Sequence, residues 1–100
     1  MNNVKFKTWD CVVAFAMYGN KRTAIQLFDA ETHEPIATAS VNLINEPMEA
    51  DEIAIKDYSE NEGMLDALVK AGVVSTPLRF VESGWVSIPV CHLLEKGEDQ

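Results

Sequence analysis

The side chains that could serve as nucleophiles or metal ligands are few and widely spaced. Cys11, Cys91, His33 and His92 are the only cysteines and histidines in the sequence. A structural zinc site needs about four such ligands, and no C-x2-C or H-x3-H spacing is present. Cys91 and His92 are adjacent, so on a strand they would point to opposite faces. The sequence therefore predicts no metal site and no cofactor.

A catalytic centre is not indicated either. Each cysteine lies in an apolar run, Cys11-Val12-Val13 and Val90-Cys91, which is typical of a buried free thiol. The nucleophile-elbow, P-loop and dinucleotide-binding glycine motifs are absent from the sequence. We predict a protein without catalytic activity. A small enzyme is favoured only if the fold brings a cysteine and a histidine together in a cleft.

Acidic residues dominate the charge. Sixteen acids against eight bases give a net charge of −8, which disfavours direct nucleic-acid binding because phosphates require cationic partners. Eight of the acids and only one base, Lys56, lie between Glu46 and Asp66. This acidic segment, residues 46–66, is either a solvated surface that keeps the protein soluble or a surface that binds a partner.

Within the acidic segment, residues 57–63 have two interpretations. Ser59 and Glu62 fit a capping box, in which each side chain accepts a hydrogen bond from the other residue's backbone N–H. Capping does not require Asp57, Tyr58 or Gly63, so this stretch also fits a protein-binding surface with an exposed tyrosine and a closely approached backbone. The predicted partner-binding residues are Glu49, Asp51, Glu52, Asp57, Tyr58, Glu60 and Glu62.

Length and composition predict one globular domain over residues 1–100, with frayed termini and a charged tail from Glu95 onward. Met1 to Lys5 are not followed by the apolar stretch of a signal peptide. No apolar run reaches the ~20 residues that a membrane span needs. The protein is therefore expected to be cytoplasmic, without membrane contact.

Alternating apolar residues and turn residues predict a three-stranded meander in the first half of the chain. Its strands span residues 11–18, 23–29 and 36–43, and the short polar turns between them favour antiparallel hairpins. The first strand is apolar on both faces, which is typical of a central or covered strand. Residues 4–7 alternate out of phase with it, which indicates either a bulge or a separate short edge strand.

The second half of the sequence predicts shorter strands and one helix. Strands are expected at residues 52–56, 79–81 and 85–90, and Pro89 would place the last of these at a sheet edge. One helix is expected over residues 60–71, because an apolar stripe follows the capping box and Gly72 supplies a stop. The predicted fold class is α+β, an antiparallel sheet built from the N-terminal meander and the short strands with one helix packed on a face.

Several segments together resemble a known family. The segments are Ala24-Ile25-Gln26-Leu27, Glu34-Pro35, Ala39-Ser40-Val41-Asn42-Leu43, Ile55 to Leu65, and Ile88-Pro89-Val90-Cys91. Over residues 24–94, and most specifically over 56–65, the chain resembles a family of small uncharacterised proteins encoded by bacterial conjugative elements, plasmids and phages. The family has no assigned activity, so the resemblance implies a setting in a mobile genetic element rather than a site or substrate.

That setting leads to two functional hypotheses. Small acidic proteins of mobile elements often resemble inhibitors of host defence, such as anti-CRISPR and antirestriction proteins, which fill cationic nucleic-acid channels with clustered carboxylates. The leading hypothesis is a non-catalytic acidic binding protein that inhibits a host nucleic-acid-binding defence complex. The alternative is a structural or regulatory interaction module of the element, which binds an element-encoded partner or forms a homodimer through an apolar sheet face.

Overall fold

The computed structural model describes residues 3–94, so the predicted tail from Glu95 onward lies outside the described residues. Two four-stranded antiparallel sheets and one α-helix make up the regular structure of this part of the chain. This arrangement confirms the predicted α+β class. No helix within residues 3–94 has the length and apolar character needed to cross a bilayer.

The first sheet is the predicted meander with one additional strand. Its strands are β1 (Asn3–Phe6), β2 (Trp9–Met17), β3 (Thr23–Asp29) and β4 (Pro35–Thr38), in the order β1-β2-β3-β4. The out-of-phase residues therefore form a separate edge strand rather than a bulge. The chain reverses between β1 and β2 at Lys7, whose φ is +57°, and Val4 then lies opposite Cys11.

The predicted strand over residues 36–43 is divided between two sheets at Ala39. The Ala39 N–H donates to the carbonyl of Ile25 in the first sheet, over 2.8 Å, while the Ala39 carbonyl accepts from Lys56 N–H over 2.9 Å. The chain continues as β5 (Ser40–Val41) in the second sheet. One alternating run thus supplies strands to both sheets, which is how corners form when two sheets pack at an angle.

The second sheet contains β5, β6 (Glu52–Ile55), β7 (Arg79–Ser83) and β8 (Val86–His92), in the order β5-β6-β8-β7. β8 is an inner strand, so the prediction that Pro89 marks a sheet edge is wrong. The pairing of β6 with β8 ends at Ala54 opposite Val90. Because the ladder on that side stops before Pro89, no β6 partner loses a hydrogen bond to the missing N–H.

The helix begins later than predicted. A 3-10 turn (Ser59–Asn61) comes first, and the α-helix α1 (Met64–Lys70) starts only after Gly63, whose φ of +97° interrupts the helical conformation. A left-handed φ of this kind favours glycine. Gly72, with φ +78°, follows the end of α1 and confirms the predicted C-terminal stop.

The hydrophobic core lies between α1 and the inward faces of the two sheets. Both sheets contribute fully buried side chains, and α1 and the residues after it close the remaining side; the members of this cluster include Val4, Phe6, Cys11, Ile25, Leu27, Ile53, Ile55, Met64, Leu68, Val73, Val74 and Cys91. A smaller cluster around Ile88 and Val90 lies on the opposite face of the second sheet.

Two buried polar side chains hold the corner at Ala39. The Ser40 hydroxyl oxygen accepts from Ile25 N–H and shares a hydrogen bond with the Tyr18 hydroxyl, each over 2.9 Å. The Asn61 amide donates to the Thr38 carbonyl over 2.8 Å, with Asn61 only 2% exposed. Buried polar groups are tolerated when they are paired in this way, and these two tie the 3-10 turn and the second sheet to the first sheet.

Candidate partner-binding site

The structure divides the predicted partner-binding residues into two groups at opposite ends of β6. Glu49, Asp51 and Glu52 lie at the beginning of this strand, whereas Asp57, Tyr58, Glu60 and Glu62 follow its end. A four-residue strand spans about 10 Å, so the two groups do not merge into one cluster. We call them the first and second acidic groups.

Arg79 organises the first acidic group. Its guanidinium donates to Glu52 Oε2 over 3.0 Å and to the Pro47 carbonyl over 3.1 Å, and it lies 3.7 Å from Glu46 Oε2. The other Glu52 carboxylate oxygen accepts from Glu49 N–H over 3.1 Å. The hydrogen bond from Arg79, supported by the one from Glu49, holds the pKa of Glu52 below its usual value. Glu52 is therefore engaged inside the protein.

Asp51 and His92 form a second contact in the same region. Asp51 Oδ2 lies 3.1 Å from His92 Nδ1, an ion pair only when the imidazole is protonated. This nitrogen is shielded from solvent, and its contact with Asp51 does not have hydrogen-bond geometry. The Asp51 side chain itself is half exposed, so its carboxylate is accessible to a partner.

Two lysines contact Glu60 in the second acidic group. The Lys56 ammonium lies 2.7 Å from Glu60 Oε2 and 5.7 Å from the centre of the Tyr58 ring. Lys7, from the β1–β2 turn, donates to the Glu60 carbonyl over 2.8 Å. The hydrogen bond from Lys56 lowers the pKa of Glu60, and the same bond raises the pKa of Lys56. Tyr58 is half buried rather than fully exposed.

Asp57 caps the helix, and the predicted Ser59–Glu62 capping box is wrong. The Asp57 carboxylate accepts from Leu65 N–H, in the first turn of α1, over 2.8 Å. Neither Ser59 nor Glu62 makes a side-chain cap, and Glu62 N–H donates instead to the Ser59 carbonyl over 3.2 Å. Capping by a side-chain oxygen contributes about 1 kcal/mol. Helix capping explains the presence of Asp57, and the left-handed backbone conformation explains the presence of Gly63. Neither residue therefore requires a binding partner.

The fold also brings distant cations to the acidic segment. Five cationic side chains belong to it or contact it, so its eight acids exceed its cations by only three; the cations are Lys7, Arg22, Lys56, Lys70 and Arg79. Glu49 and Glu62 are exposed, and the ion pairs of residues 3–94 include neither of them. These two carboxylates are the freest of the predicted set.

A shallow depression of about 260 Å³ lies beside the second acidic group, between α1 and the segment that leads into β7. Leu65, Val69 and Pro77 form its apolar lining, and Asp57 and Asp66 add carboxylates. Apolar surface next to a carboxylate suits a lysine or arginine side chain, whose stem is apolar and whose end is charged.

Three exposed apolar side chains near β7 were not predicted from the sequence, and one of them, Trp85, is the most exposed large apolar side chain among residues 3–94. Trp85, in the β7–β8 turn, is fully exposed at 103%, and Phe80 on β7 is 59% exposed. Leu78, directly before β7, is also exposed. The pattern Ser83-Gly84-Trp85 could have indicated this feature, because a glycine turn followed at once by tryptophan places the ring at a hairpin tip.

The cysteines are buried free thiols, as predicted. Burial raises the pKa of the Cys91 thiol to about 11, and burial together with nearby Asp29 and Asp10 raises the pKa of Cys11. Both thiols therefore stay protonated at neutral pH, the form that is a poor nucleophile. Among residues 3–94, no group of three or more histidine, cysteine or acidic side chains is arranged to hold a metal ion.

The Glu52–Arg79 pair predicts a pH-dependent effect. A depressed pKa in the folded state means that the Glu52 carboxylate stabilises the fold above its unfolded pKa of about 4.3. This contribution is lost as the pH falls through the folded value. We expect Glu52→Gln to lower the free energy of unfolding most near neutral pH, with the difference from the parent shrinking in acid.

Urea unfolding of the parent and Glu52→Gln across this pH range measures the effect, with Glu34→Gln in the exposed β3–β4 turn as the matched control. A Glu52→Gln deficit that stays constant down to acid would contradict the role of the charged pair.

Comparisons with protein-family models, with curated proteins and with solved structures found no match.

Proposed function

We propose that this protein is a non-catalytic acidic binding protein of a mobile genetic element, which acts in the host cytoplasm by occupying a cationic surface of a nucleic-acid-handling defence complex. The setting rests on the family resemblance of residues 24–94. The binding mode rests on one observation: the carboxylates of Glu49 and Glu62 remain exposed and outside the ion pairs of residues 3–94. Such carboxylates can pair with lysine and arginine side chains without first breaking an internal contact.

Charge and shape both support recognition of a cationic protein surface. The net charge of −8 speeds association with a positively charged partner, and it repels nucleic acid. Asp51 adds a half-exposed carboxylate near Glu49 in the chain, and the depression beside Asp57 can receive one lysine or arginine side chain. The internally paired Glu52 and Glu60 position these groups rather than bind the partner directly.

Capture from host lysate at low and raised salt, followed by mass spectrometry, tests the proposal. We expect a nucleic-acid-binding complex that is retained at low salt and released at high salt, because contacts between exposed charges are screened. The double variant Glu49→Lys/Glu62→Lys should lose most of this binding.

The matched control is Glu31→Lys/Glu34→Lys, which makes the same change in net charge on two exposed residues of the β3–β4 turn. The control should retain the captured complex. Equal weakening by both double variants would show that only the net charge matters, and unchanged binding by both would refute the acidic recognition.

The second candidate function is an interaction module that forms a homodimer. It is favoured by the outer face of the first sheet, where Val12, Ala14 and Phe28 lie on the side of β2 and β3 opposite the core. Burial of such a face against a second copy would be driven by the hydrophobic effect. A dimer by light scattering that persists at high salt would support this function over the first.

A further inference from the structure

Among residues 3–94, no strand pairs with the outer edge of β7, so this edge of the second sheet is open within the described part of the chain. β7 is the last strand in the order β5-β6-β8-β7, and its other edge pairs with β8. Natural edge strands are commonly blunted by charged side chains, especially lysine, or by proline. β7, whose sequence is Arg-Phe-Val-Glu-Ser, contains neither lysine nor proline. Its two charged side chains are engaged within the protein, Arg79 with Glu52 and Glu82 with Ser87.

The backbone of Phe80 and Glu82 points toward this open edge. Leu78 N–H donates to the Val90 carbonyl over 2.8 Å, so the Val90 peptide group faces β7. Strand peptide groups alternate in direction, and every second residue of β8 therefore faces β7. The register places Arg79, Val81 and Ser83 opposite those residues. The N–H and C=O groups between them, on Phe80 and Glu82, are directed outward.

Exposed apolar side chains follow the same edge. Leu78 precedes β7, Phe80 lies within it, and Trp85 extends from the turn that ends it. Tryptophan is one of the residue types enriched among the side chains that dominate the energy of protein interfaces. An open strand edge beside exposed aromatic rings provides both backbone hydrogen bonds and apolar contact for an added strand.

The charges beside the edge specify the kind of strand. Arg79 is occupied by Glu52 and lies near Glu46 at the beginning of β7, and Glu82 lies toward its end. Glu82 is exposed, and Glu46 lies 3.7 Å from Arg79, beyond hydrogen-bond distance. These two carboxylates complement lysine or arginine side chains on an incoming segment. A second copy of this chain carries a net charge of −8, which opposes self-association at an edge flanked by acids.

We infer that β7 is a docking edge for an extended, lysine- or arginine-bearing segment of a partner protein, which adds to the second sheet as a further strand and packs against Trp85. The choice of a cationic segment rests on the proposed function. The docking edge itself rests on the open backbone groups and the exposed rings.

Two short blocked peptides test the inference, one of alternating lysine and valine and the other of alternating glutamate and valine. A Trp9→Phe background leaves Trp85 as the only tryptophan, so its fluorescence reports contact at the turn. Amide hydrogen exchange of Phe80 and Glu82 reports strand addition. The lysine peptide should shift the Trp85 emission to shorter wavelength and protect both amides, whereas the glutamate peptide should do neither.

Three variants separate the contribution of the outward backbone N–H from the contributions of the Glu82 charge and the Trp85 ring to peptide binding. Glu82→Pro removes an outward N–H and leaves the backbone hydrogen bonds to β8 in place, but it also removes the carboxylate that accepts from Ser87 Oγ on β8. Glu82→Gln removes the same charge but keeps that N–H and a side-chain oxygen that can accept from Ser87. We expect Glu82→Pro to bind the lysine peptide at least about fivefold more weakly than Glu82→Gln, the effect of one hydrogen bond. Trp85→Ala should weaken binding about thirtyfold if the ring is the anchor. Thermal unfolding checks that each variant is folded.

The outcomes distinguish the inference from the proposed function. Binding of the lysine peptide without protection of Phe80 and Glu82 would overturn the docking edge and leave acidic recognition standing. Equal protection by both peptides would keep the edge but overturn its preference for a cationic segment, and it would leave the proposed recognition through Glu49 and Glu62 standing. Protection that increases with protein concentration in the absence of peptide would assign the edge to a second copy, and a lack of binding by either peptide would refute the inference.

Discussion

Replacement of Asn61 by aspartate is expected to lower the free energy of unfolding by about 3 kcal/mol or more at neutral pH. Asn61 is 2% exposed, and its amide nitrogen donates to the Thr38 carbonyl over 2.8 Å. An ionised carboxylate at this position has no proton to donate and would face the carbonyl oxygen directly. The variant therefore exchanges a satisfied hydrogen bond for a buried, unpaired charge at the corner between the sheets.

The loss in Asn61→Asp should depend on pH in a defined direction. Burial raises the pKa of the new carboxyl above its unfolded value of about 3.9, so below this pH the group is protonated in both states. A protonated carboxyl can donate to the Thr38 carbonyl. The variant is thus least destabilised in acid, and stability is lost as the pH rises through the folded pKa.

Urea unfolding at several pH values measures this effect, with Asn61→Ala as the control. The alanine variant also loses the hydrogen bond to Thr38, but it introduces no titrating group. Parallel pH profiles for the two variants would contradict the assignment of a buried donor at this position.

Truncation of Leu68 to alanine is the second substitution that we expect to lower the free energy of unfolding strongly. Leu68 is fully buried on α1, in the cluster that joins the helix to both sheets. Truncations of this kind lower stability by about 2–5 kcal/mol through lost burial and the cavity left behind. This is a large share of the roughly 5–15 kcal/mol that stabilises a small domain.

Leu65→Ala provides the matched control, since Leu65 lies on the same helix but is only half buried. Denaturant unfolding should show a smaller loss for Leu65→Ala than for Leu68→Ala. Equal losses would mean that helix propensity, rather than burial between the sheets, determines the contribution of α1.

Elements that depend on local alternation could be predicted from the sequence. β3 begins and ends at the predicted residues, Thr23 and Asp29, because polar turns bound a run of alternating side chains. The break after α1 at Gly72 was also predictable, since a left-handed residue after a helix is a local requirement. The buried free cysteines followed from their apolar neighbours.

Elements that depend on distant residues could not be predicted in this way. Ser59 and Glu62 have the spacing of a capping box, yet the Asp57 carboxylate is the group that accepts from Leu65 N–H and caps the helix. The run over 36–43 alternates without interruption, but Ala39 bonds to Ile25 on one side and Lys56 on the other. In both cases two local arrangements are compatible with the pattern, and contacts across the fold select one.

The charge of residues 46–66 also has one part that is predictable from the sequence and one part that depends on distant contacts. The sequence by itself determines that eight acids and one lysine lie there, and so it determines the acidic character of the protein. Tertiary structure alone brings Arg79 to Glu52 and Lys7 to Glu60, and it alone exposes Trp85 beside an open strand edge. Alternation and turn residues act over a few neighbours and therefore specify strands. Ion pairs, caps and exposed edges join residues far apart in the chain, and they exist only once the sheets have paired.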